Sequence, residues 1–164
     1  MKTNPILKLF RWLIMAYRTL FRPTSEVIIN GDMELGSPPT NWQSYNSPGT
    51  FERSGFRFHS SDYSAHILTE VTGSGFQYGS TWSQRTGILY IQSFWFWIVE
   101  GTLTSVWTNG DTTDIDSIEH TITGSWQYWS RNYTEASGGS LANVIFSSTN
   151  GGEFYIDDVS VKEG

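Results

Sequence analysis

The sequence has no cysteine, which excludes disulfide staples and thiolate metal sites. It leaves the compartment open, because a core of this size holds together without staples outside a cell too. Basic residues are scarce after residue 23. Only Arg53, Arg57, Arg85, Arg131 and Lys162 remain there, five against all sixteen acidic residues, so that part carries −11. Nucleic-acid binding needs clustered Lys and Arg to neutralise phosphates, and this body lacks them. No phosphate-cradling glycine loop opens a helix, since Gly73-Ser74-Gly75 lies between strand-like segments. No serine sits in a nucleophile-elbow sequence. His59, His66 and His120 are scattered, without His-x-x-x-His or Glu-x-x-His spacing, and read as surface or turn residues. Asn132-Tyr133-Thr134 is a glycosylation sequon, a common chance match that matters only in a eukaryotic secretory setting.

What is present is aromatic and glycine-rich. The 164 residues include eight Trp, eight Tyr, ten Phe and 16 Gly. That mixture favours short strands joined by turns. Turn signals recur about every ten residues. They separate strand patterns at 26–32, 42–45, 50–58, 65–71, 76–84, 88–99, 102–108, 117–122, 126–133, 141–147 and 153–162. The spacing predicts an all-β fold, an antiparallel jelly-roll β-sandwich over 26–164. Strand 90–98 divides by period two. Tyr90, Gln92, Phe94, Phe96 and Ile98 share one face; Ile91, Ser93, Trp95, Trp97 and Val99 share the other. Both faces are apolar, and a core needs only one, so the second requires a cover or a ligand.

Residues 1–23 differ in kind. They carry Lys2, Lys8, Arg11, Arg18 and Arg22 and no acid, hence +5. Residues 5–22 follow a helical period, with Pro5 suited to a first turn and Pro23 to a stop. Leu9, Phe10, Trp12, Leu13, Tyr17, Leu20 and Phe21 form a wide apolar face beside a basic stripe. Arg11 interrupts the stretch too early for a span of roughly 20 apolar residues. It also breaks a signal-peptide core, and no small-x-small site follows before Glu26. Residues 1–25 are therefore expected to be a basic amphipathic α-helix and linker. The helix would anchor on a partner protein, on sister subunits in a homo-oligomer, on a membrane surface, or back on its own sandwich.

At this level the sequence resembles the jelly-roll carbohydrate-binding modules of the four-and-nine class and their relatives in phage and surface proteins. Asn30-Gly31-Asp32-Met33-Glu34 resembles the family's opening Asn-Gly-x-Phe-Glu, with Met33 in place of Phe. Trp42, then Gly87–Trp95, then Trp126–Ser130 follow in the family's order, and Phe154–Val161 resembles its closing strand. The resemblance covers about Val27–Lys162 and leaves the N-terminal helix outside. It implies the fold strongly and a ligand weakly.

The resemblance further implies a structural Ca²⁺ joining the first strand to the last, at Glu34 and Asp158. A hard cation needs several oxygens, and acids from opposite chain ends would clip the sandwich closed. The alternative is that these acids only accept backbone N–H groups. For a glycan, Trp95 and Trp97 are roughly 7 Å apart on one strand face, within the span of a hexose. Ser93 by parity, and Gln127 and Trp107 as neighbours, complete the expected site. The competing reading covers the two tryptophans with the helix or another subunit. No separated pair of acids faces a cleft, so no enzyme is expected. The expected function is a non-catalytic module displayed outside the cell or on a virion surface. It would be anchored to a larger assembly such as a phage particle through its helix, and would bind glycans. The alternatives are a stand-alone polysaccharide-binding module and a glycan binder anchored on a membrane surface.

Overall fold

Two long strands, each bent near its middle, run through both layers of the molecule. A computed structural model of the chain describes residues 25–108, 114–135 and 141–164. The expected N-terminal helix, with its anchoring residues, lies outside the described residues, as does the 109–111 turn. The strands are β1 (Trp42–Tyr45), β2 (Thr50–Ser54), β3 (Ser64–Thr69), β4 (Gly75–Tyr78), β5 (Trp82–Ser83), β6 (Leu89–Thr108), β7 (Asp114–His120), β8 (Gln127–Thr134) and β9 (Leu141–Glu163). Among the described residues there is no helix, and none long and apolar enough to cross a membrane.

In one layer, β8, the first half of β6, the second half of β9, β3 and β2 lie side by side. In the other, β7, the second half of β6, the first half of β9, β4 and β1 do so. Every strand pair is antiparallel, and β5 adds to the end of β9 at Trp82↔Ala142. The result is a jelly-roll β-sandwich. The strands expected as 88–99 with 102–108, and as 141–147 with 153–162, are each one continuous ladder. The bend falls where Gly101 crosses Gly151 and Gly152. A Cβ at Gly101 would stand 2.1 Å from the Gly151 carbonyl oxygen, and its φ is +84°, so only glycine fits. Register shifts flank this corner, between Ile98 and Glu100 and between Gly101 and Leu103. They change which parity points inward. Phe94, Phe96 and Ile98 face the core before the bend, and Leu103, Ser105 and Trp107 after it.

The core is the aromatic seam between the layers. Phe94 meets Phe146 edge-on at 4.8 Å, and Phe76 stacks on Phe146 and on Phe51, each at 5.1 Å. Tyr90, Ile156 and Val161 continue it in one layer, and Val144 and Trp107 in the other, all fully buried.

The chain's first motif explains itself here. Residues 26–31 run beside the end of β9, with Val27 N donating to Val161 O and Val159 N to Gly31 O, each at 2.8 Å. A Cβ at Gly31 would meet the Val159 carbonyl oxygen at 1.8 Å, which is why glycine follows Asn30. Asn30 adopts φ 56° and organises the next loop. Its Oδ1 accepts from Leu35 N, and its Nδ2 donates to Leu35 O and Thr40 O. Trp42 Nε1 donates to the Asn30 carbonyl. Motif residues 30 and 42 are thus one structural unit.

Candidate functional site

The two layers present very different outer faces. On the first layer, Trp95 and Trp97 do point outward, and both are half-buried. Their cover is the chain's own 55–63 loop. His59 stacks on Trp95 with centroids 3.7 Å apart, and Arg57 lies 4.6 Å above the Trp97 ring. Trp126 meets Trp97 edge-on at 6.1 Å. Of the expected partners, Ser93 shares this face. Gln127 pairs across from Phe96 and so turns the other way, donating to Ser125 Oγ. Trp107 is fully buried in the core against Trp82 and Tyr133. The structure therefore brings Ser93 and Trp95 together with Tyr128, and leaves Trp107 and Gln127 elsewhere.

Acids from both chain ends hold the covering loop. Asp157 Oδ2 accepts from His59 N and Ser60 N, and its Oδ1 from Asp158 N. Asp158 accepts from the Ser60 hydroxyl and lies 2.8 Å from His59 Nδ1. Glu34 Oε1 accepts from Asp62 N and Tyr63 N, both at 3.0 Å. The first and last segments are thus clipped together through the 59–63 loop. Asp157 is fully buried, and burial pushes its carboxyl up to about 7 against the pull of its N–H donors. No three Asp, Glu or His side chains converge to hold a metal among the described residues. Glu34 and Asp158 would be the residues to hold an ion, and here both accept from the loop, Glu34 from Asp62 N and Tyr63 N and Asp158 from the Ser60 hydroxyl.

Among the described residues, the second layer's outer face is open, and a groove of about 530 Å³ crosses β6, β9 and β4. Val106 and Ile145 form its floor; Thr104, Thr108, Ser117 and Ser147 add hydroxyls, and Tyr45 stands at one end. The amides of Gln77 and Asn143 meet within it, Nδ2 to Oε1 at 3.4 Å. A small apolar floor with paired amides and flanking hydroxyls suits a chain of sugar rings, whose edges are polar and whose faces are C–H. Sequence reasoning missed this set. Its signal was the alternation in 142–147, where Ala142, Val144 and Phe146 turn in and Asn143, Ile145 and Ser147 turn out.

One buried base lies between the faces. His120 packs on Phe96 at 4.5 Å and bonds Ser105 Oγ through Nε2 at 3.0 Å. Burial pulls its pKa down to about 4, with the Arg131 charge adding to the effect.

This fold is that of carbohydrate-binding modules. The CBM22-1 xylan-binding domain from Paenibacillus barcinonensis Xyn10C aligns at TM-score 0.62 and 10% identity, over 87% of this chain and 97% of that one. TmCBM61, solved with β-1,4-galactotriose, aligns at TM-score 0.65 and 15% identity, over 86% and 100%. The enzymatically active domain of tailspike protein 4 from bacteriophage CBA120 aligns at TM-score 0.62 and 17% identity. There the match covers 85% of this chain but 21% of the tailspike domain. No family model and no curated protein matches the sequence.

Proposed function

We propose that the chain is a non-catalytic glycan-binding module that takes a polysaccharide segment in the groove on the outer face of its second layer. The groove itself carries this reading: about 530 Å³ among the described residues, with the Gln77–Asn143 amide pair in its lining. Amides of this kind donate to and accept from sugar hydroxyls at once, and the Val106–Ile145 floor receives a ring face. Structural likeness to a xylan-binding domain and to a module solved with β-1,4-galactotriose supports the substrate class. The test is native affinity electrophoresis in gels containing xylan, galactan or mixed-linkage β-glucan. At least one should retard the parent, and Gln77→Ala/Asn143→Ala should migrate freely in it. Equal migration of parent and variant in all three gels overturns the reading.

Two further parts belong to the same proposal. The first is display outside the cell or on a virion surface, in a homo-oligomer or larger assembly held through residues 1–23. The basic, apolar helical pattern of 5–22 supports it. Deleting 1–23 should leave a folded body that still binds sugar but no longer assembles; an unchanged sedimentation coefficient per chain argues against it. Co-sedimentation with anionic vesicles would assign the helix to lipid instead. The second is Ca²⁺ at the Glu34–Asp158 clip. Millimolar Ca²⁺ should raise the Tm of the parent but not of Glu34→Ala, and an unmoved parent Tm removes the ion.

A further inference from the structure

We propose that the first layer carries a second, separate saccharide site, between residues 26–32 and Tyr128, suited to oligosaccharides of amino sugars with free amines. It does not depend on the groove of the other layer.

The site is a depression of about 480 Å³. That lies within the roughly 300–1,000 Å³ typical of small-ligand sites. Ser93 and Ser160 line it, lying opposite one another across β6 and β9, with Ser130 opposite Ser93 on β8. A parallel row, Tyr128 opposite Trp95, stands up beside it. The step from serine to aromatic makes the depression.

The aromatic row has one open ring. His59 takes a face of Trp95, whereas Tyr128, tilted against Trp95 at 5.2 Å, is 55% exposed. Tyr128 is the stacking surface, and Trp95 holds it upright. The Ser160 hydroxyl is committed to Glu26 Oε2 at 2.6 Å. The Ser93 hydroxyl remains to meet a sugar hydroxyl.

Charge selects the ligand. Glu26 and Asp32 line the depression against Lys162, two acids to one base; Asp158 also lines it but is engaged by the Ser60 hydroxyl and His59. Lys162 is itself 3.7 Å from Glu26. Uronic acids and sulfated sugars are repelled here, while an ammonium group gains from both the acids and the tyrosine face. A glucosamine unit supplies the ammonium and the C–H ring face together.

The test is calorimetric titration of glucosamine tetramer into the full chain carrying Gln77→Ala/Asn143→Ala, which disables the other groove. Binding should occur, weaken with added salt, and be about tenfold weaker for the N-acetylated tetramer. Tyr128→Ala should abolish it and Asp32→Asn should reduce it about tenfold; Ser130→Arg, on the exposed row, should block it by charge. Absence of heat with the glucosamine tetramer overturns the proposal. So does affinity unchanged by Tyr128→Ala, or equal affinity for the acetylated tetramer.

Discussion

The outer faces of the two layers reverse the usual expectation about aromatic residues. The first layer displays Trp95 and Trp97 and then covers them with its own loop through His59 and Arg57. The second has a groove lined by short side chains, the amides of Asn46, Gln77 and Asn143, and Tyr45, and open among the described residues. Aromatic content marks where packing is needed as readily as where a ligand goes. The face with few aromatic side chains has the room, and the tryptophans of the rich face serve mainly to seat a loop. If this contrast is right, changes at Trp97 and in the covering loop alter stability, and changes in the groove alter polysaccharide binding.

The largest effect should come from the loop's anchor. Asp157→Ala strands the N–H groups of His59, Ser60 and Asp158, and should cost about 3 kcal/mol in urea unfolding. A loss near zero would mean the loop does not depend on its anchor. A comparable effect comes from His120. Its folded pKa, near 4, lies below the unfolded value near 6.5. The unfolded chain therefore binds more protons between these values, and stability falls as pH drops through that window. The parent should lose up to about 3 kcal/mol there relative to His120→Gln. Parallel pH profiles for the two proteins would show that the buried imidazole titrates normally.

Smaller effects separate the faces more finely. Trp97→Ala should cost about 2 kcal/mol of stability by removing a half-buried ring beneath Arg57, yet leave polysaccharide retardation unchanged. Loss of retardation at full stability would return the binding role to the tryptophan face. Gln77→Ala should do the opposite, weakening retardation about tenfold while shifting stability by less than about 0.5 kcal/mol.

Much of the fold was legible in the sequence because period two and turn residues are local signals. The strand 42–45 is found with the expected bounds, and 90–98 divides between core and exterior as its alternation implies. The segment 26–32 pairs with the end of β9 through a few hydrogen bonds rather than as a full strand. The site was less legible, for two physical reasons. Parity does not survive a bend. Odd residues face outward at Trp95 and Trp97 but inward at Trp107, because the shifts around Gly101 lie between them. Cover is also a long-range property. The bonds that bring His59 onto Trp95 join residues 98 and 99 positions apart, which no local pattern reports. The Gln77–Asn143 pair joins residues 66 apart, so neither amide looked special alone.

The central claim is that sugar is held in the open groove and not on the covered tryptophan face. It is tested most directly by following side-chain NMR resonances while xylohexaose or β-1,4-galactotriose is added. The account predicts that the Gln77 and Asn143 amide signals move with one of these ligands while the Trp95 and Trp97 indole signals stay still. Movement of the two indoles with both amides unmoved would contradict it.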